Sequence, residues 1–235
     1  MRILLTNDDG IEADGLWRAR EELLKLGEVW IVAPDRDQSG VSQSLTLRHP
    51  IRVEERKERI FVVSGTPTDC VLLAYHHFVK GKIDLIVAGI NHGYNMGYDV
   101  FYSGTVAAAL QGGILRITSL AVSTEDIGSA QEHLIPTIEM AVAEGEKYVL
   151  NVNIPKGPKG YRITRLGRRI YNDEVIKREE ERGIGYYVID GTLSFEVDSG
   201  TDFEAIKEGY ISITPLNLDL TDHKIFHYLQ KRLNG

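Results

Sequence analysis

Residues 1–34 read MRILLTNDDGIEADGLWRAREELLKLGEVWIVAP and predict a strand, a helix and a second strand. The first apolar run, Ile3-Leu4-Leu5, is short and ends abruptly at Asn7-Asp8-Asp9-Gly10. From Leu16 to Leu26 apolar residues recur at spacings of three and four, which is the helical period, and a glycine follows as a stop. Val29 to Ala33 is a second apolar run. Neither run alternates apolar with polar residues, so both strands are predicted to be buried on both faces, as in a parallel sheet covered by helices.

The same pattern continues to about residue 155. The further predicted elements are extended stretches at 51–54 and 60–63, a helix capped by Thr68 or Asp69 that runs to Phe78, an apolar strand at 84–88, a Gly- and Asn-rich loop at 89–102, a helix at 105–115, a strand at 120–123, a helix from Ile135 to Ala143 and a strand at 148–152. Strands that alternate with helices are typical of a parallel sheet with helices on both faces. Residues 1–155 are therefore predicted to form a Rossmann-like, doubly wound α/β domain with a mostly parallel sheet.

Residues 156–235 have a different pattern. The stretch 161–188 alternates and is strongly charged, with Lys177 to Arg182 as an unbroken charged run, and predicts long exposed antiparallel strands that form a projecting β-rich arm. Another strand is predicted at 209–214. A terminal amphipathic helix is predicted at 222–233, since its apolar residues fall on one side.

The composition excludes several classes of protein. Lys and Arg total 27 against 34 Asp and Glu, a net charge of −7, which argues against a general binder of nucleic acid polymers. Cys70 is the only cysteine, so no intrachain disulfide is possible. The chain has no apolar run near the ~18 residues of a membrane span, and the first apolar run is too short for a signal peptide. We therefore expect a cytoplasmic protein without a membrane partner.

Three polar loops follow predicted strands of the first half. Asp8 and Asp9 follow the first strand, Ser39 lies in the loop after the second, and Asn91 lies in the loop after the run at Leu85. If these strands are parallel, the loops open on the same edge of the sheet, where ligands bind in such folds. Carboxylate, hydroxyl and amide oxygens suit a hard divalent cation rather than zinc. An Asp-Asp-Gly triplet is also an ordinary turn, and taken alone it favours that interpretation.

A second candidate is the start of the Ala-rich helix at Ser103-Gly104-Thr105. Free N–H groups at a helix start attract anions, and Gly104 lets the backbone approach a ligand. Plain capping by Ser103 is the simpler interpretation when this segment is taken alone. Beside a cation site, the same segment would hold a phosphoryl group from a second side.

Other chemistries lack their residues. The sequence has no phosphate-binding P-loop, no dinucleotide fingerprint and no nucleophile elbow. Asn7 stands where an aspartyl-phosphate phosphatase needs its nucleophile, which counts against a covalent mechanism. His76 and His77 are neighbours on a predicted helix, so they diverge and do not indicate a zinc site.

Eight segments of the chain together resemble the SurE (survival protein E) nucleotidase family. They are residues 4–10 (LLTNDDG), 33–40 (APDRDQSG), 65–71 (GTPTDCV), 89–95 (GINHGYN), 102–106 (YSGTV), 150–155 (LNVNIP), 164–167 (TRLG) and 209–216 (GYISITPL). They occur in order over nearly the whole chain, which makes the resemblance specific. Asp37 stands where many members have Asn, at a position that is not a ligand in the family pattern.

The resemblance implies a divalent-metal-dependent phosphatase that acts on nucleoside monophosphates, as a 5′- and also a 3′-nucleotidase. It implies one divalent cation per subunit, Mg²⁺ or Mn²⁺ with Ca²⁺ as an occupant, held by Asp8, Asp9, Ser39 and Asn91. It implies that Asn95, Ser103, Gly104 and Thr105 bind the phosphate. It also implies a homodimer or homotetramer in which the C-terminal arm is exchanged, so that residues 156–235 serve oligomerisation.

The expected reaction is hydrolysis by metal-activated water, with Asp8, Asp9 and Asn91 as the catalytic set. Either carboxylate is a candidate base, although a carboxylate that holds a metal is a poor one, and His92 is a candidate proton donor to the leaving group. Two alternatives stay open: a metal-gated nucleotide sensor without turnover, and a covalent aspartyl phosphatase. The base preference, the preference for 5′- or 3′-monophosphates, the physiological cation and the choice between dimer and tetramer are left undecided.

Overall fold

A computed structural model describes residues 1–142, 146–181, 184–196 and 198–234. The strands are β1 (Arg2–Thr6), β2 (Glu28–Pro34), β3 (Val53–Lys57), β4 (Ile60–Val63), β5 (Leu85–His92), β6 (Thr118–Thr124), β7 (Val149–Ile154), β8 (Tyr161–Ile163), β9 (Arg168–Glu181), β10 (Ile184–Glu196) and β11 (Ile211–Leu216). The helices are α1 (Asp14–Leu23), α2 (Pro67–Leu73), α3 (Gly104–Ile114), α4 (Ile127–Ala141), α5 (Asp202–Lys207) and α6 (His223–Asn234). A π-helical turn (Ala74–Phe78) continues α2, and a 3₁₀ turn (Gly97–Phe101) precedes α3.

One sheet organises the molecule, with strand order β3-β4-β2-β1-β5-β6-β7-β11-β8. Strands β4, β2, β1, β5, β6 and β7 are mutually parallel, and β3 and β11 are antiparallel to their inner neighbours. From β1 the chain goes first to β2 on one side and later to β5 on the other. The point where the order reverses therefore lies between β1 and β5, and in open α/β sheets ligands bind at such a point.

Helices cover both faces of the sheet, which confirms the predicted doubly wound α/β fold. Ile3 and Leu5 of β1 join a fully buried cluster with α1 and α4, whereas Leu4 faces the opposite cluster beneath α2. Successive side chains of a strand point to opposite faces, so the unbroken apolar run in β1 serves two cores at once.

Beyond residue 155, part of the chain adds strands to this sheet and part forms a separate hairpin. Strands β11 and β8 continue the sheet past β7, so residue 155 does not coincide with its edge. Strands β9 and β10 form a separate antiparallel hairpin, which is the predicted arm. Helix α5 was not predicted. In α6 the apolar side chains of Ile225, Phe226 and Leu229 are all exposed. Among the described residues, no helix is long and apolar enough to span a membrane.

Several predicted boundaries differ from the structure. Thr66 caps α2, not Thr68 or Asp69, and Asp69 completes a reciprocal capping box with it. Helix α4 begins at Ile127 rather than Ile135 because Asp126 caps it. The predicted loop at 89–102 contains the end of β5 and the 3₁₀ turn. Ala143 and Arg182, which ended a predicted helix and a charged run, lie outside the described residues.

Candidate active site

The paired carboxylates lie at the point where the strand order reverses. Strand β1 leads directly into Asp8 and Asp9, and the neighbouring strand β5 ends in Asn91 and His92. The His92 backbone N–H hydrogen-bonds the Asp9 carboxylate. Loops from strands about 80 residues apart in sequence therefore meet here, as the prediction of parallel strands required.

The turn after β1 is closed by Asn7 rather than by either aspartate. Asn7 is fully buried, and its Nδ2 donates to the Gly10 carbonyl at 2.8 Å. The triplet Asp8-Asp9-Gly10 thus does form a turn. Because Asn7 supplies the hydrogen bond that closes it, both carboxylates remain available for other partners.

Asp8 packs directly against the start of α3. The Thr105 hydroxyl donates to Asp8 Oδ1, and the Thr105 backbone N–H also donates to this carboxylate. Gly104 backs onto the same side chain, since a Cβ at Gly104 would lie only 2.8 Å from Asp8 Cβ. The predicted cation ligand and the predicted phosphate-binding segment are therefore in contact.

The loop after β2 brings Ser39 to the same place. The Gln38 backbone N–H donates to the Asp8 carbonyl at 2.7 Å, which ties this loop to the turn after β1. Ser39 Oγ donates to Asp37 Oδ1 at 2.6 Å, and this bond is the main reason that the pKa of Asp37 lies below its usual range. Because the Ser39 proton is used in that bond, its oxygen lone pairs remain available to a cation.

These segments enclose a cleft of about 270 Å³. Its lining residues are Asp8, Ser39, Gly40, Asn91, His92, Tyr94, Asn95, Asp99, Tyr102 and Ser103. Of the predicted site residues, Asp8, Ser39, Asn91, Asn95 and Ser103 line this cleft. Asp9 lies half-buried beside it, and Thr105 is fully buried behind Asp8.

The two carboxyl groups are held where negative charge is unfavourable. Burial raises the pKa of Asp8, which is only 4% exposed. Burial and then the neighbouring Asp8 charge raise the pKa of Asp9 to about 6. Two adjacent carboxylates of this kind are stabilised by a bound cation, which removes both penalties.

The donor set at this point is made entirely of oxygen. Asp8 and Asp9 supply carboxylates, Ser39 supplies a hydroxyl and Asn91 supplies an amide oxygen. The Nδ2 of Asn91 donates to the Gly93 carbonyl at 2.8 Å, so its oxygen is the end of the amide that can face a cation. Within the described ranges, no group of three or more His, Cys, Asp or Glu side chains forms a metal site. Two carboxylates with two neutral oxygens fit a hard divalent cation, which takes such ligands.

Comparison with known proteins decides the family. The family model described as Survival protein SurE matches residues 3–173. This chain belongs to the SurE family. It is 44% identical to a protein of Vibrio cholerae serotype O1 named 5′-nucleotidase SurE, with both chains fully covered. It is 43% identical to the 5′-nucleotidase SurE of Legionella pneumophila strain Lens, over 100% of this chain and 98% of that one. The crystal structure of the SurE protein from Aquifex aeolicus superposes with a TM-score of 0.87 at 38% identity, over the full length of both chains.

Membership of the SurE family implies a divalent cation, and the oxygen-bearing side chains around Asp8 fit one. The similarity to the family includes the C-terminal segment, because the Aquifex SurE structure matches the whole chain. The resemblance recognised in the sequence is therefore confirmed at the level of family and fold.

Sequence reasoning missed several residues of the SurE cleft. Tyr94, Asp99 and Tyr102 line it. Tyr94 and Tyr102 lie in two of the segments that resemble the family, whereas Asp99 lies in the 3₁₀ turn and outside those segments. Tyr94 is half-buried, and burial raises its pKa to about 12. Tyr102 is 60% exposed at the rim. The family resemblance at residues 89–95 and 102–106 was the available signal for the two tyrosines, and Asp99 had no such signal.

Proposed function

We propose that this SurE protein is a divalent-cation-dependent phosphomonoester hydrolase that releases phosphate from nucleoside 5′-monophosphates and also from 3′-monophosphates. The observation that carries the proposal is the contact between Asp8 and the start of α3. It puts a carboxylate for a cation and a helix terminus for an anion in one cleft. Relatives named 5′-nucleotidase SurE, which match the full chain, support the substrate class.

In this proposal Asp8, Asp9, Ser39 and Asn91 hold one Mg²⁺ or Mn²⁺ per subunit, and Ca²⁺ is an acceptable occupant. The cation, when bound, neutralises phosphoryl charge and lowers the pKa of a coordinated water. Asp8 is oriented for this role by Thr105, whose hydroxyl and backbone N–H both donate to its carboxylate. Thr105 therefore acts through Asp8, and its own hydroxyl is not free for phosphate.

The phosphate is bound by Ser103, Gly104 and Asn95. Ser103 Oγ caps α3 by accepting from the Val106 N–H at 3.1 Å, which leaves the Gly104 N–H at the helix start for an anion. Asn95 also lines the cleft and contributes a side-chain amide. Donors fixed in advance stabilise charge that develops in the transition state without reorganising.

The attacking group is water rather than a side chain. Asn7 occupies the position of a covalent nucleophile, and its amide is buried and already hydrogen-bonded to Gly10. Asp8 and Asp9 are poor bases while they hold a cation. His92 is exposed and lines the cleft, so we assign it the transfer of a proton to the leaving alkoxide.

Replacing Asp8 tests this function directly. Asp8→Asn should lower the release of phosphate from AMP or GMP with Mg²⁺ or Mn²⁺ by about 100-fold or more, the equivalent of about 3 kcal/mol of transition-state stabilisation. Asp14→Asn, the same change at an exposed carboxylate at the start of α1, should leave the rate unchanged. A chelator should abolish the wild-type rate. Near-normal turnover by Asp8→Asn would reject the assignment.

The same assay separates catalysis from sensing. A metal-gated nucleotide sensor would bind AMP in the presence of the cation without releasing phosphate. Phosphate release under excess cation therefore decides between the two functions.

We also propose that the protein forms a homodimer or homotetramer by exchanging its C-terminal arm. The exposed apolar side chains of Ile225, Phe226 and Leu229 on α6 support this, because an amphipathic helix gains stability by burying such a face. The proposal includes a cytoplasmic location, supported by Cys70 as a free, buried thiol, and no nucleic acid polymer or membrane as partner.

A further inference from the structure

Side chains from the sheet hold the backbone of Asn95 in place. Its N–H donates to Asn153 Oδ1 at 2.9 Å. Its carbonyl accepts from Asn153 Nδ2 at 3.0 Å and from Asn151 Nδ2 at 2.7 Å. The Asn95 side-chain amide donates to Ser123 Oγ at 2.9 Å. Both main-chain groups of this loop residue are thus paired with side chains, and its own side chain is oriented by a third.

The three side chains that hold Asn95 lie where an apolar residue is the default. Asn151, Asn153 and Ser123 are fully buried on the central strands β7 and β6. Val149, on the same face of β7 as Asn151 and Asn153, packs in the apolar cluster beneath α3. This face therefore changes from apolar to polar at the carboxyl end of the strand, beneath the loop that carries Asn95.

Of the two polar atoms of the Asn151 side-chain amide, only one has a hydrogen-bond partner among the described residues. Its Nδ2 reaches the Asn95 carbonyl, whereas its Oδ1 is buried without a hydrogen-bond partner in the described part of the chain. A buried unpaired acceptor destabilises the fold, so packing alone does not favour asparagine here. Sites that depart from ordinary packing in this way are expected where function requires it.

We propose that Ser123, Asn151 and Asn153 are positioning residues for phosphate binding, which they support by fixing Asn95. The inference rests on the proposed function, because the phosphate role of Asn95 belongs to it. Ser123 accepts one of the two Nδ2 hydrogens, which determines the orientation of the amide and leaves the second hydrogen for a phosphate oxygen. Asn151 and Asn153 hold the peptide so that this donor stays at the cleft before substrate arrives.

Two buried serines on one strand provide a matched test. Ser119 and Ser123 are both fully buried on the same face of β6, but Ser119 Oγ donates to the Ile117 carbonyl and does not contact Asn95. Ser123→Ala should weaken binding of inorganic phosphate, measured by calorimetry with Mg²⁺ present, by about 5-fold and lower kcat/KM for AMP by about 10-fold. Ser119→Ala should leave both values unchanged, and both variants should unfold at similar temperatures.

A double-mutant cycle separates positioning from a general effect on the fold. If Ser123 and Asn153 act through Asn95, then Ser123→Ala and Asn153→Ala should have no further effect on phosphate binding in an Asn95→Ala protein. Equal losses in the presence and absence of the Asn95 side chain would overturn the proposal, and so would equal losses from Ser119→Ala and Ser123→Ala.

Failure of the proposed function gives a different result. A wild-type protein that binds phosphate but releases none from any nucleotide would reject the nucleotidase, and the binding cycle alone would then decide the role of Ser123. A wild-type nucleotidase in which Asn95→Ala binds phosphate normally would keep the function and overturn the positioning role.

Discussion

Replacing Gly104 with alanine tests whether the proposed cation ligands and the proposed phosphate-binding helix form one site. A Cβ at this position would lie 2.8 Å from Asp8 Cβ, 3.0 Å from Asp8 Oδ2 and 3.2 Å from Pro67 Cγ. Carbon atoms in contact prefer separations of about 3.5–4.0 Å, so α3 and the turn after β1 must separate by roughly 1 Å. The backbone of Gly104 does not require glycine, because it does not have a positive φ. The effect of the variant is therefore the displacement of Asp8 from Ser103 and Thr105.

A displacement of this size is large for catalysis and modest for folding. A misplacement of about 1 Å lowers rates by about 100-fold, so kcat/KM for AMP with saturating Mg²⁺ should fall by that factor. Overpacking of one methyl group costs about 1–3 kcal/mol of folding stability, which thermal unfolding should register as a limited decrease. Binding of Mg²⁺ in the absence of substrate, measured by calorimetry, should weaken as well, since Asp8 is the residue displaced.

Gly128→Ala is the control. Gly128 is also near the start of a helix, but a Cβ there would meet only Asp126 Oδ1, at 3.4 Å, which is ordinary contact. This variant should keep full activity and unfold at the same or a slightly higher temperature. If Gly104→Ala stays folded and keeps kcat/KM within about 3-fold of wild type, then 1 Å between Asp8 and α3 does not matter and the single-site argument fails.

Three further predictions concern the arm, a buried carboxyl and the proton donor. Deleting the residues after Asp222 should reduce the mass in sedimentation while Mg²⁺ binding stays intact; an unchanged mass would contradict exchange of the arm. Burial raises the pKa of Asp202, so the folded chain retains a proton that the unfolded chain loses at about pH 4. The contribution of Asp202 to the free energy of unfolding therefore falls as pH rises above that value. The destabilisation caused by Asp202→Asn should therefore be smaller at neutral pH than near pH 4 in chemical unfolding, and a pH-independent difference would refute this. His92→Gln should lower kcat for AMP by about 100-fold but far less for p-nitrophenyl phosphate, whose leaving group needs no proton; equal losses would remove His92 from that role.

Local sequence patterns predicted the central sheet because its inner strands must be largely apolar on both faces. The unbroken apolar runs in β1, β2 and β5 serve cores on both faces, so the fold class follows from them without knowledge of a family. Capping was harder to predict. Thr66 and not Thr68 caps α2, because the reciprocal bonds with Asp69 outweigh a single cap. The predicted start of helix α4 at Ile135 was late, because the cap that Asp126 provides was not recognised, and the structure accommodates Pro136 inside the helix.

The C-terminal segment shows what periodicity does not determine. Alternation predicted the hairpin of β9 and β10, but it carries no information on which sheet a strand joins. Strand β11 pairs antiparallel with β7 and thereby places β8 at the edge of the main sheet, a long-range pairing that no local pattern specifies. Helix α5 is short, and its Asp202 binds the backbone N–H groups of Gly97 and Gly167, contacts that connect distant segments.

The predicted site depended on topology in the same way. Asp8, Ser39 and Asn91 were selected because parallel strands place their loops at one edge, and the structure places all three on one cleft. Asn151 and Asn153 matched the family in sequence, yet their hydrogen bonds to Asn95 were not foreseen. An asparagine on a strand predicted to be buried indicates only that its side chain needs a hydrogen-bond partner. Here the partner is Asn95, which lies in a loop distant in sequence.

Charge is the reason that we expect this acidic chain to suit a small phosphate rather than a nucleic acid polymer. A phosphate monoester carries about −1.5 to −2 charges, and a helix N-terminus contributes only about +0.5. With Asp8 and Asp9 both ionised beside it, the start of α3 cannot by itself make the cleft attractive to such an anion. In the proposed site, a divalent cation on these carboxylates would cancel their charge, and the Gly104 N–H and Asn95 would then act as net attractive groups. That compensation is confined to one cleft, whereas the net charge of −7 acts on the whole surface and continues to repel an extended polyanion. Phosphate binding that persists undiminished in chelator would show that the helix start suffices without compensation, and the link between the two halves of the site would be lost.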